Sequence, residues 1–154
     1  MTKDRERAVS SNDNAVSQER YELYKATFEW IAKSIREGFY LEAISLEESL
    51  ITDRLESYLT WRTGMNFGFK TLGELQQAIR RHERDADLRL LVLDELDQWR
   101  RARNKAAHEM VKIEAGKQVS WQERMMINQA VATVGLELIR RIDRQTRRLR
   151  LSES

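Results

Sequence analysis

Four polar residues of this sequence are candidates for phosphate binding and proton transfer. Arg103, Asn104 and His108 fall within six consecutive positions, and Glu48 lies well before them in the chain. Arginine carries a planar fork of donors that matches phosphate oxygens, and histidine changes its protonation state near neutral pH. The segment from Arg103 to His108 therefore predicts a site that holds a phosphate group and moves a proton.

Glu48 and Arg103 are charges on the apolar sides of two predicted helices. The first stripe contains Leu41, Ile44, Ile51, Leu55 and Tyr58, and the second contains Leu88, Val92, Leu96, Trp99, Ala106 and Met110. Burial of an ion is costly unless the ion is paired, so we expect Glu48 to pair with Arg103 across the bundle. The alternative is a purely structural ion pair, with His108 an ordinary solvent-facing residue near a helix end.

The elements that position these residues are predicted to be helices. The chain has 154 residues, no proline and six glycines, so little interrupts helix formation. Apolar residues spaced by three and four indicate five amphipathic helices, and Gly38 is expected to end the first. Capping boxes are expected to begin the third and the last, at Thr71 with Glu74 and at Ser120 with Glu123. We predict an all-α fold, a four-to-five-helix bundle over residues 15–150, after a polar tail at residues 1–14.

Two irregular segments separate parts of this bundle. A loop is predicted from Trp61 to Lys70, and a break near Ala115 and Gly116 precedes the last helix. The last helix is predicted to have a wide apolar face, and its Trp121 is expected to be a core or dimer anchor. The face consists of Trp121, Met125, Ile127, Val131, Val134, Leu138 and Ile142.

Arginines are concentrated at the C-terminal end, although the net charge is only +2. The candidate RNA-binding residues are Arg140, Arg141, Arg144, Arg147 and Arg148. The alternative is a solvated helix end whose cations complement the helix dipole.

The composition also predicts what the protein lacks. Cysteine is absent, which excludes disulfides, a thiolate nucleophile and a cysteine-based zinc site. With two histidines only, we expect no metal or other cofactor, although an all-carboxylate site stays open. The polar N-terminus lacks the apolar region of a signal peptide, and no segment has the length of a membrane span. We therefore expect a cytoplasmic protein with no membrane association.

The run Arg103-Asn104-Lys105-Ala106-Ala107-His108 resembles the R-polar-xxx-H signature of HEPN domains. These are small four-to-five-helix bundles found in prokaryotic toxin, antiphage and nucleotide-linked systems. The helix with Glu47 and Glu48, the run from Thr71 to Leu75 and the long helix after the motif are also similar to the family. The resemblance covers roughly residues 20 to 145, and only the six-residue motif is specific to the family.

The resemblance implies a metal-independent endoribonuclease that acts as a homodimer, with two motif helices lining one cleft. In that chemistry the 2′-hydroxyl of RNA attacks the adjacent phosphate. Arg103 would clamp the phosphate, His108 would act as general base or acid, and Asn104 would orient the imidazole or the substrate. Glu48 would hold Arg103. The expected setting is toxin function or antiphage defence, with an antitoxin or effector protein as a further partner.

Two other functions fit the same residues. Some HEPN members have lost catalysis, which implies an interaction module that binds a nucleotide, nucleic acid or a partner protein through the same cleft. The other is a helical adaptor that binds its partner through the arginine-rich C-terminal end.

Overall fold

The computed structural model describes residues 4–9 and 14–153, and these form a bundle of helices with no strand among them. The helices are α1 (Asn14–Glu37), α2 (Tyr40–Thr63), α3 (Leu72–His82), α4 (Ala86–Leu90), α5 (Leu96–His108) and α6 (Trp121–Ser152). A π-helical turn at Leu91–Glu95 joins α4 to α5, so the two run as one continuous helix. The predicted all-α bundle is confirmed, with α4 and α5 together forming the fourth of five helices.

Helix α2 forms the centre of the bundle and packs against α1, α3 and α6. Its side chains Ile51, Leu55 and Tyr58 are completely buried. Full burial of an aliphatic or aromatic side chain stabilises a fold by about 1.5–3 kcal/mol, so the faces that α2 shares with its neighbours are a main source of stability. No helix among the described residues is long and apolar enough to cross a lipid bilayer.

Three predicted helix ends are confirmed. The backbone amide of Glu74 donates to Thr71 Oγ1 at 3.2 Å, and that of Glu123 donates to Ser120 Oγ at 3.1 Å. Gly38 follows α1 with a φ of +83°, in the left-handed region that glycine enters without strain.

The loop between α2 and α3 starts later than predicted. The loop was expected to begin at Trp61, but α2 continues to Thr63 and ends at Gly64, whose φ is +74°. The Trp61 ring packs near that of Tyr58, one turn back on the same helix, with centroids 5.7 Å apart. The helix therefore continues past Trp61 and ends where a glycine permits the left-handed turn.

The π-helical turn between α4 and α5 has a cause in the sequence. The apolar stripe advances by four residues twice, from Leu88 to Val92 to Leu96, whereas an α-helix turns once in 3.6 residues. The widened turn takes up this difference and keeps all three side chains buried. The Val92 carbonyl within this turn accepts a hydrogen bond from Gln76 Nε2 at 3.0 Å. The apolar stripe therefore faces the bundle at the start of α5, the helix that carries Arg103.

The apolar face predicted for the last helix is only partly buried. Val131 and Ile142 lie in the core. Trp121, Ile127 and Val134 are 61%, 54% and 50% exposed, so Trp121 is not a core anchor within one copy of the chain. The apolar residues cover more of the α6 circumference than the neighbouring helices contact, so one flank of α6 presents apolar surface to solvent.

Part of the predicted polar tail packs on the bundle. Residues 4–9 are irregular in backbone, yet Arg7 within them is only 8% exposed. Residues 1–3 and 10–13, which the predicted tail includes, lie outside the described residues, as does residue 154.

Candidate functional site

The predicted ion pair between Glu48 and Arg103 is present at the contact of α2 with α5. Arg103 Nη2 lies 2.9 Å from Glu48 Oε1, and the two side chains are 20% and 28% exposed. The Nε of Arg103 is buried and has no hydrogen-bond partner among the described residues. The pair thus holds the guanidinium at the edge of the bundle, with a minor part of the side chain facing solvent.

Asn104 and His108 lie on the outer face of α5. Both side chains are exposed, and neither hydrogen-bonds another described residue. Positions four apart are separated by about 40° around a helix, so the two side chains are neighbours on one face. His108 is also the last residue of α5. Its imidazole is therefore accessible to a ligand and is not committed to the fold.

Arg103 and His108 point in different directions from one copy of α5. Positions five apart are separated by about 140° around a helix. The structure accordingly places Arg103 against α2 and His108 on the exposed side. For both to act on one phosphate, the substrate must bridge two faces of α5, or a second copy of α5 must supply one of the two groups.

Glu47, next to the ion pair, is a buried acid that the apolar spacing did not single out. It is completely inaccessible to solvent, and both of its carboxyl oxygens lack a hydrogen-bond partner among the described residues. Burial raises the pKa of Glu47 to about 9, so the group is neutral at pH 7. Its position, three residues after Ile44 and four before Ile51, is the signal that could have placed it in the core.

Gly135 of α6 leaves the space that the Glu47 carboxyl occupies. A Cβ at position 135 would overlap Glu47 Oε1 and would lie 2.9 Å from the indole Nε1 of Trp99. A glycine inside a helix costs about 1 kcal/mol relative to alanine, and a buried carboxyl without a partner is also unfavourable. Two unfavourable features therefore meet behind the helix that carries Arg103. Such local conflicts are typical of functional sites.

The predicted basic end carries fewer free cations than its sequence indicates. Four of its arginines lie near carboxylates, which are Glu95 at 2.6 Å from Arg141, Glu137 at 3.8 Å from Arg144, Asp143 at 3.0 Å from Arg147 and Asp85 at 3.2 Å from Arg148. Arg140 is exposed and has no carboxylate within ion-pair distance among the described residues. Arg140 is therefore the member of the predicted set that is freest to meet an anion.

An apolar surface borders the motif helix. A groove of about 410 Å³ between α5 and α6 is lined by side chains that include Trp99, Ala102 and Val134. A second cavity, of about 160 Å³, lies at the end of α5 and is lined in part by Ala106 and Ile127. The exposed flank of α6 thus continues onto the helix that carries Arg103 and His108.

Comparison of the chain with family models, with curated protein sequences and with solved structures finds no match. The fold and the site define an all-α bundle with a buried acid and an ion pair behind an exposed histidine. Membership of the HEPN family stays a prediction that rests on the motif and its position on α5.

Proposed function

We propose that the protein is a metal-independent endoribonuclease of HEPN type that acts as a homodimer. The observation that carries the proposal is the Glu48–Arg103 ion pair, which anchors a guanidinium on the same helix that ends in the exposed His108. An anchored cation and an accessible imidazole can supply the charge stabilisation and the proton transfer that promote transesterification of RNA.

The reaction needs no atom from outside the substrate. The 2′-hydroxyl oxygen forms a bond to the adjacent phosphorus, and the bond from phosphorus to the 5′ oxygen breaks. One proton leaves the 2′-hydroxyl and one is delivered to the 5′ oxygen. Arg103 binds the phosphoryl oxygens as negative charge develops, and His108 accepts or delivers a proton. Asn104 orients the imidazole or the RNA, and Glu48 keeps the guanidinium in place.

The direction of the two motif side chains supports a dimeric site. Arg103 and His108 diverge by about 140° on one α5, so two copies of α5 brought together can place them around one phosphate. The apolar flank of α6 and the groove beside α5 supply surface that a second copy would cover. The small side chain of Ala107, which is exposed on α5, allows close approach.

The biological setting proposed here is toxin function or antiphage defence in the cytoplasm, with an antitoxin or effector protein as partner. It rests on the resemblance of the motif alone.

The direct test is incubation of the purified wild-type protein with bulk cellular RNA in the presence of a chelator. We expect cleavage products with a 2′,3′-cyclic phosphate, because the attacking group is the neighbouring hydroxyl. Absence of cleavage, together with loss of a bound nucleotide, nucleic acid or protein in the Arg103 and His108 variants, would favour the interaction module instead.

Substitution of the exposed α6 flank is expected to break the dimer. Val134→Glu places a charge in the apolar groove and should convert the protein to a monomer, since an unpaired charge in an apolar contact is strongly disfavoured. Light scattering of variant and wild type at the same concentration measures the change. Leu23→Glu, at a similarly exposed apolar position of α1, is the matched control and should leave the assembly unchanged. A wild-type protein that is only monomeric would contradict the dimeric site.

Salt dependence tests RNA contact at the basic end. If Arg140 contacts phosphate, Arg140→Ala should make the negative slope of log affinity against log salt for single-stranded RNA shallower by about 0.7. Arg147→Ala is the matched control, because this exposed arginine already has a carboxylate partner in Asp143. Equal slopes for both variants and wild type would indicate that Arg140 does not contact phosphate and that the basic end is a solvated helix end.

A further inference from the structure

Residues 4–9, called the arm below, bury one of their side chains in the bundle. Arg7 is buried, whereas the other five arm residues are exposed. A segment with so little apolar contact is retained by the polar contacts around its buried residue. The surroundings of Arg7 therefore determine what the bundle recognises in the arm.

The Arg7 guanidinium lies between two carboxylates of α2. It donates from Nη1 to Oδ1 of Asp53 and from Nη2 to Oδ2 at 3.4 Å, and Nη1 lies 3.6 Å from Oε1 of Glu56. The hydroxyl of Tyr24 also donates to Asp53 and orients that carboxylate. Arg20 lies 3.9 Å from Asp53 at the outer edge. A planar fork that meets two carboxylates selects arginine over lysine.

The bundle also binds the arm through its backbone. Asn66 donates from Nδ2 to the Arg7 carbonyl at 2.8 Å, and its Oδ1 accepts from the Arg7 amide at 2.9 Å. Arg20 donates to the carbonyl of Ala8 at 2.8 Å. Contacts of this type do not depend on side-chain identity. They are the ones by which proteins bind peptide segments, with pockets that read individual side chains.

The loop between α2 and α3 is shaped around the arm. A Cβ at Gly68 would overlap the backbone amide nitrogen of Arg7, so glycine is what permits this approach. Phe69, the next residue, has a φ of +58°, which is strained for a residue with a side chain. Its ring lies 3.7 Å from the guanidinium of Arg5. The strained turn thus presents an aromatic face to a second arginine of the arm.

We propose that α1, α2 and the 64–71 loop form a peptide-binding slot that reads arginine in a non-helical segment. The arm fills this slot, and an arginine-bearing segment of a partner protein takes it when Arg7 is withdrawn. The recognition elements are the carboxylates of Asp53 and Glu56, the carboxamide of Asn66 and the ring of Phe69. The slot is independent of the nuclease proposal, because none of its residues belongs to the Arg103 site.

The test uses the full chain with Arg7→Ala, which weakens the arm by removing the side chain that the carboxylates bind and leaves the residues of the slot unchanged. A fluorescent peptide with the sequence of residues 4–9 is titrated into the variant and followed by anisotropy. We expect saturable binding to the variant, and binding to wild type that is at least about tenfold weaker, because the tethered arm competes at a high effective concentration. A peptide with lysine in place of Arg7 should bind about tenfold more weakly than the arginine peptide.

Asp53→Asn in the Arg7→Ala background is the matched control for the slot and should abolish binding. Circular dichroism and thermal melting establish whether each variant is folded. If Arg7→Ala is poorly folded, the arginine peptide should restore its helical signal and raise its Tm, and failure to do so overturns the proposal. A folded variant that does not bind the peptide overturns it as well. Equal affinity for the arginine and lysine peptides, or for the variant and wild type, has the same consequence.

Discussion

His108→Ala is expected to lower the rate of RNA cleavage by about 10²–10⁴-fold, the usual contribution of a general acid or base. The fold should be unaffected, because the imidazole is exposed at the end of α5 and hydrogen-bonds no other described residue. In the proposed mechanism Arg103 would still bind the phosphate, so much of the affinity for RNA should remain. A single-turnover assay with chelator present measures the rate, and equilibrium binding of a 2′-deoxy analogue measures the affinity separately.

Arg103→Lys is the companion variant and should also be strongly impaired. A lysine keeps the charge but cannot reproduce the planar fork on a phosphate. Asn104→Ala, on the same exposed face as His108, is expected to reduce the rate less, because it removes an orienting group and no proton transfer. If His108→Ala melts at a much lower temperature while all variants cleave RNA as wild type does, the motif is structural and the nuclease proposal is wrong.

Glu47→Gln is expected to raise the free energy of unfolding at pH 7 by about 3 kcal/mol. The carboxyl is fully buried without a partner, and its pKa rises from the ordinary value of 4.5 to about 9. Between these values the unfolded chain releases a proton that the folded protein retains. Stability therefore falls as the pH rises from about 4.5 to about 9, and the neutral amide of glutamine removes this loss.

Urea unfolding at pH 4.5, 7 and 9 measures the effect as a difference between the variant and wild type. The difference should be near zero at pH 4.5 and should grow to its full size at pH 9, while contributions from all other groups cancel. Glu48→Gln is the matched control on the adjacent residue and should destabilise the protein, because Arg103 loses its counter-charge. Parallel stability curves for Glu47→Gln and wild type across this range would show that Glu47 does not titrate as the burial implies.

Helix identity and helix ends could be predicted because they depend on neighbours in sequence. Local sequence determines the capping hydrogen bonds at Thr71 and Ser120 and the left-handed turn at Gly38. All three are present as predicted. The ion pair of Glu48 with Arg103 was also predictable, since two opposite charges on apolar stripes have few ways to avoid unpaired burial. The predicted end of α2 was wrong by three residues, because the helix continues until Gly64 permits the left-handed turn.

The spacing of apolar and charged residues is enough to specify an all-α bundle with charged groups on two of its inward faces. Which of these groups are buried depends on what another helix places opposite each side chain, so it follows from tertiary contacts. Gly135 leaves space for Glu47. One flank of α6 is exposed because the neighbouring helices do not contact it. Asn66 hydrogen-bonds the backbone of Arg7, which lies fifty-nine residues earlier in the sequence, and Gly68 permits the close approach of that backbone. No local pattern encodes these contacts, since each arises where distant segments meet.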